Sequence, residues 1–256
     1  MFAYSVKPSA WLGALLCMAP VFASAVECLE IQYRDTRSTV CRVDVRSEHL
    51  QLFLKDESGT PFTSFRRVAQ ALAQRNEQLI FAMNAGMYRT DYSPVGLLVR
   101  DGRQLHRLNQ ASGYGNFYLK PNGIFVLSAS GAHIIETSEY PSLGNPPQLA
   151  TQSGPLLLQG GQINSNLNPQ GTSRLIRNGV GVATANEVIF AISEDPITFY
   201  DFALLFRDRL KCTDALYLDG NVSSLYALSL GRDDERVPLG PIIGVTAPAA
   251  TLQHHP

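Results

Sequence analysis

Four short segments carry the side chains that could do chemistry, and each follows or opens an apolar run. They are MNAGMY (83–88), TQSGP (151–155), IRNGVG (176–181) and YLDGNVSS (217–224). Each couples a hydrogen-bonding side chain to a glycine: Asn84 with Gly86, Ser153 with Gly154, Arg177 and Asn178 with Gly179, Asp219 with Gly220, Ser223 and Ser224. Glycine lets a backbone turn with positive φ or lets a ligand come close, and the neighbouring polar group supplies a contact. Asn-Gly and Asp-Gly are also ordinary turn signals, so any one segment alone is as well read as a tight turn. Four together, one bearing a guanidinium and one a carboxylate, describe the rim of a single pocket. Arg177 suits an oxyanion with two accessible oxygens, because its planar fork can bind both. Asn84 offers both a donor and an acceptor.

The elements that must position these groups are mostly strands. HLQLFLKD (49–56) alternates, QLIFAMN (78–84) reads as a buried run, and SPVGLLVRDGRQLHRL reads as a hairpin turning at Asp101-Gly102. Strands are also predicted at 29–33, 40–45, 116–119, 122–128, 132–136, 155–159, 180–184, 187–192 and 214–219. Two helices are predicted. SFRRVAQALAQRNE repeats apolar residues at helical spacing behind Ser64, and TFYDFALLFRDRL opens with Thr198 and Asp201 as a capping box. Few helices among many strands give an α+β fold in one domain, residues 26–246, with a flexible tail at 247–256.

Composition limits the function. The 256 residues carry a formal charge of −1, and no block of like charges occurs. Nothing here tracks a polyanion, so nucleic acid is not an expected partner. Residues 1–25 combine Lys7, an apolar run from Trp11 to Phe22 and Ala23-Ser24-Ala25, the pattern of a secretory signal peptide. About twelve apolar residues are too few to span a bilayer, so no stable membrane anchor is expected after cleavage. The expected location is periplasmic or secreted, which makes Cys28, Cys41 and Cys212 residues of an oxidising compartment. Cys28 and Cys41 flank the first two apparent strands and fit a stapled hairpin; Cys212 fits a buried thiol. Only His49, His106 and His133 lie outside the tail, which argues against a zinc site. No cofactor is expected, although carboxylates, amides and carbonyls bind divalent cations without any spacing rule.

The order of NAGMY, PVGLLVRDG, GNFYLKPNGIF, SGPLL, IRNGVGV and ALYLDGNVSS resembles the phosphodiester glycosidase family over roughly residues 40–245, most closely its small bacterial exported branch. The resemblance implies cleavage of a glycosyl–phosphate bond, with a carbohydrate or glycan phosphodiester as partner. It implies Asp219 as the catalytic carboxylate, because such cleavage builds positive charge on the sugar ring that a carboxylate can stabilise or attack. Asn84 joins it in the site, and Glu194 is the expected second carboxylate, with Asp195 and Asp91 as substitutes. Gly86, Ser153, Gly154, Arg177, Asn178, Gly220, Ser223 and Ser224 are the expected substrate contacts. Where one branch of the family has a glycine-rich run after the aspartate, this chain has Asn221 and Val222. The competing reading is a noncatalytic glycan- or cell-wall-binding domain, with Tyr88, Tyr92, Tyr114 and Tyr118 as stacking platforms.

Overall fold

A computed structural model describes residues 26–144, 146–234 and 236–249; the expected signal peptide and most of the expected tail lie outside the described residues. Strands covered on both faces, such as Glu187–Ser193 and Gly123–Ser128, are buried almost throughout, and three antiparallel sheets result. The first has seven strands in the order Val26–Tyr33, Thr36–Asp44, Glu187–Ser193, Asn178–Thr184, Asp214–Tyr217, Leu156–Gln159 and Gln162–Ile163. The second has five: Arg232–Asp233, Leu225–Ala227, Glu77–Asn84, Ile242–Pro248 and His49–Phe53. The third also has five: Arg103–His106, Leu98–Arg100, Leu149–Ser153, Gly123–Ser128 and Gly131–Glu136.

The main core forms where the three sheets face one another. Phe190 of the first sheet lies 4.9 Å from Phe81 of the second and 6.3 Å from Phe125 of the third, ring centre to ring centre. All three rings are fully buried. Each such side chain stabilises the fold by about 1.5–3 kcal/mol, and this cluster fixes how the strand ends meet.

Both helices form as expected. Ser64 caps Phe65–Ala73 by accepting the Arg67 N–H, and the helix buries Phe65, Val68 and Leu72 against the second sheet. Thr198 accepts the Asp201 N–H at 3.0 Å and donates to its carboxylate at 2.8 Å, which opens Phe199–Leu204 on the outer face of the first sheet. A single wider turn, Leu205–Arg209, ends it. Cys28 and Cys41 stand opposite each other in the first hairpin and are disulfide-bonded. Cys212 is a free buried thiol, pushed up to about 12 by burial.

Two predicted elements differ. Residues 116–119 are not a strand: Asn116–Tyr118 is a single 3-10 turn that buries Phe117 and leaves Asn116 half-buried. Aromatic residues there fill a corner instead of a ladder. The last strand runs to Pro248, past the expected boundary at 246, because Ala247 and Pro248 pair with Gln78 and Glu77. Among the described residues no helix is long and apolar enough to cross a membrane.

Candidate active site

The four segments do converge. Glu77–Asn84 brings Asn84 from the second sheet, Leu149–Ser153 brings Ser153 from the third, and adjacent strands of the first bring Asn178 and, just past Tyr217, Asp219. Asn84 is 1% exposed and its amide is engaged on three sides. Its Oδ1 accepts from Asn178 Nδ2 at 2.8 Å and from the Ser224 N–H at 3.0 Å, while its Nδ2 donates to the Asp219 carbonyl at 2.9 Å. Asn178 Oδ1 accepts the Asp219 N–H at 3.0 Å, and Ser153 Oγ donates to the Leu218 carbonyl at 2.5 Å. Side chains from the neighbouring strands and sheets thus pin both backbone groups of Asp219. The amides expected to face a ligand hold the aspartate in place instead, in a closed network of the kind that rigidifies a core.

The carboxylate itself is left without a charged partner. Among the described residues no cation pairs with Asp219, and burial raises it from the usual carboxylate range to about 6, against a lowering contribution from the Asn221 N–H. Its charge reaches Tyr88 and Tyr217 and raises both phenols further, on top of the larger effect of burial on each. Tyr88 donates to the Pro238 carbonyl at 2.5 Å and stacks on Tyr92, with ring centres 6.1 Å apart. Gly220 turns the chain where no side chain fits: a Cβ there would lie 2.4 Å from the Tyr217 hydroxyl and 2.8 Å from the Ile176 carbonyl. Gly86 is similarly constrained, since a Cβ would meet the Gln152 carbonyl at 2.3 Å. Gly154 precedes Pro155 and packs against Asn122 and the Phe117 carbonyl.

Arg177 differs from expectation in its geometry. It is 1% exposed, its Nε donates to the Ile197 carbonyl at 2.9 Å and its Nη2 to the Ser173 carbonyl at 3.1 Å. Two of the three nitrogens are therefore committed, and the two-pronged phosphate contact is not on offer. Only Nη1 is buried without a partner, as is Ser223 Oγ. The guanidinium lies 3.5 Å above the Phe199 ring and 5.7 Å from that of Tyr217. Burial pulls its pKa down, and no carboxylate offsets that among the described residues.

The expected second carboxylates are engaged elsewhere. Glu194 pairs with Arg232 and accepts from Thr39 Oγ1 at 2.6 Å, and the same arginine binds Asp234 at 2.8 Å. That half-buried cluster fastens the first sheet to the second; Asp234 in turn holds the Leu225 N–H at 3.0 Å, directly after Ser224. Asp195 pairs with Arg37 at 2.9 Å. Asp91 is a turn former, accepting from the N–H and hydroxyl of Ser93. Among the described residues no group of three or more His, Cys, Asp or Glu could hold a metal ion. Clefts of about 530 and 600 Å³ lie elsewhere, one lined by Phe53, Arg75 and Arg100, the other by His133, Leu143 and Pro147, and neither includes a residue of this network. Convergent polar groups, more than cleft size, mark the site.

Sequence reasoning missed Tyr217. Its hydroxyl accepts the Gly220 N–H at 2.6 Å and sits beside Asn116 of the 3-10 turn. Period-2 alternation along the predicted strand 214–219 could have found it, since that pattern sets positions 217 and 219 on one side.

A strand-rich α+β domain thus places at a strand end a mostly buried aspartate with no cationic partner among the described residues. The phosphodiester glycosidase family model matches residues 77–246, and the chain belongs to that family. It is 30% identical over 230 residues to the uncharacterized Escherichia coli protein YigE, covering 90% of each chain. Among solved structures it resembles the zebrafish N-acetylglucosamine-1-phosphodiester alpha-N-acetylglucosaminidase catalytic domain, auto-inhibited by its pro-peptide, with TM-score 0.60 and 14% identity over 90% of this chain and 84% of that one. A Burkholderia pseudomallei protein named as exported matches with TM-score 0.52 and 11% identity over 82% of this chain and 74% of that one.

Proposed function

We propose that the protein is an exported hydrolase that cleaves the glycosyl–phosphate bond of a sugar-1-phosphodiester in an envelope glycan or exopolysaccharide. The observation that carries this reading is Asp219: a mostly buried carboxylate with no cationic partner among the described residues, its backbone fixed by Asn84 and Asn178. A carboxylate near 6 is mostly ionised at neutral pH, as stabilising or attacking positive charge at the sugar C1 requires. Phosphate departs as a stable anion, so one carboxylate suffices and Glu194 is free to serve the sheet junction. Arg177 supplies a buried positive charge close to the departing group, and Ser223 Oγ an unused hydroxyl. The signal-peptide pattern, the Cys28–Cys41 bond and the exported relative support an oxidising location outside the cytoplasm.

The test is to incubate residues 26–256 with a panel of sugar-1-phosphodiesters and follow released reducing sugar. The parent should turn over at least one member, and Asp219→Asn should lower that turnover by about a hundredfold or more with the ligand still bound. Turnover by the asparagine variant at the parent rate would remove Asp219 from the chemistry. A parent that binds glycans through Asp219 and cleaves none would establish the noncatalytic binding domain instead.

A further inference from the structure

Tyr217 is placed as few buried tyrosines are. The residue is 1% exposed and its ring stands edge-on to Phe199, with centres 4.8 Å apart, while the Arg177 guanidinium lies 3.5 Å from the centre of the Phe199 ring. Its hydroxyl is directed to the end of the strand, where Asn116, Asp219 and Gly220 meet. The oxygen accepts the Gly220 N–H at 2.6 Å, the Asn116 side chain lies beside it, and the Arg177 guanidinium stands 5.7 Å from the centre of the ring. No group accepts its proton among the described residues. Tyr88 is the contrast, because its proton is committed to the Pro238 carbonyl. An oxygen that receives a hydrogen bond makes its own O–H a stronger donor. A buried hydroxyl whose proton lacks an acceptor is an exception that calls for an explanation.

We propose that Tyr217 is a catalytic hydrogen-bond donor to the oxygen that departs with the phosphate. The proposal rests on the reading of the site as a glycosyl–phosphate hydrolase. As the bond between C1 and the bridging oxygen breaks, its electron pair passes to that oxygen and positive charge grows at C1 beside Asp219. The phosphomonoester leaves as an anion that accepts the Tyr217 hydrogen bond. Tyr217 keeps its proton throughout, consistent with burial holding the phenol above its ordinary value. Water then adds hydroxide to C1 and releases one proton to solution, so atoms and charge balance. Arg177 acts through Tyr217 as a positioning residue, its charge buried behind the phenol where a substrate does not need to reach it.

The experiment compares Tyr217→Phe with the parent on two sugar-1-phosphodiesters that differ only in the second ester group, one alkyl and one nitrophenyl. The alkyl ester departs as the more basic phosphate and gains more from the donor. Loss of one such donor commonly costs about 10²–10³ in kcat. We expect about a hundredfold loss in kcat on the alkyl ester, a loss several times smaller on the nitrophenyl ester, and KM within about threefold on both. Asn116→Ala, on a half-buried turn, should repeat that ratio between esters at smaller amplitude, and it decides the matter if the phenylalanine variant does not fold. Equal losses on the two esters, as a merely structural role gives, overturn the proposal, and so does parent-like kcat. A parent that cleaves neither ester overturns the hydrolase reading itself; a parent that cleaves both, with no ester-dependent loss in either variant, overturns only the role of Tyr217.

Discussion

At the scale of single residues, Asp219 makes a claim about stability as well as chemistry. Its folded pKa of about 6 lies above the ordinary 3.8, so between those values the folded protein binds more protons than the unfolded chain. Stability therefore falls as pH rises through that window, and above it the ionised carboxylate carries the full cost. A rise from 3.8 to about 6 corresponds to about 3 kcal/mol. Asp219→Asn removes that cost while keeping the shape, so the variant should melt higher than the parent at pH 7.5, and the two should converge below about pH 4. Paired melting curves at both pH values check this. A variant that melts lower than the parent at pH 7.5 would mean that the carboxylate is stabilised by partners and is not held under strain for function. The sequence located the aspartate; its lack of a cationic partner among the described residues comes from how chain segments far apart in order pack around it.

At the scale of elements, the informative feature is that one strand's last side chain secures another strand's exit. Asn84 ends Glu77–Asn84 and accepts or donates across 94, 135 and 140 residues of sequence separation to Asn178, Asp219 and Ser224. Asn84→Ala would orphan the Ser224 backbone N–H and the Asp219 backbone carbonyl and leave the Asn178 amide only its long bond to the residue 84 carbonyl, each lost partner costing about 1–3 kcal/mol when buried. The expected result is a loss of at least about 3 kcal/mol in denaturant unfolding, together with loss of turnover even where enough protein remains folded. A stability change below about 1 kcal/mol would show that water replaces the amide and that the network does not fix the loop. The strand, its apolar run and the terminal asparagine were all legible in sequence. That the asparagine faces inward was not, because alternation gives the side of the strand and not what the next sheet places there.

At the scale of the whole molecule, three sheets from one chain meet at the core of Phe81, Phe125 and Phe190, the Glu194–Arg232–Asp234 cluster fastens the first to the second, and the disulfide staples the outer hairpin within the first. The first strand of that hairpin, Val26–Tyr33, is an edge of the seven-stranded sheet, where pairing on one side only leaves it prone to fray. Cross-links of this kind commonly contribute about 2–4 kcal/mol. The oxidised protein should show one free thiol, from Cys212, reactive only after unfolding, and it should unfold at higher denaturant than the reduced form. Alkylation of Cys28 and Cys41 without prior reduction, read by mass spectrometry, would contradict the bond.

The sequence by itself determined the family, the α+β class, both helix caps, the stapled hairpin and the four segments that meet at the site. Those features are local: a cap, an alternation or a motif is written within about a dozen neighbouring residues. Only the tertiary structure decided which polar groups are spent. Arg177 and Glu194 look equally available along the chain, yet one gives two nitrogens to the Ile197 and Ser173 carbonyls and the other is taken by Arg232. Tyr217, an ordinary apolar member of ALYL in sequence, becomes a buried acceptor of the Gly220 N–H near the Arg177 charge because those groups arrive from different places. Hydrogen-bond partners and desolvation are set by the few ångströms around an atom after packing, and those neighbours come from positions that no local pattern links.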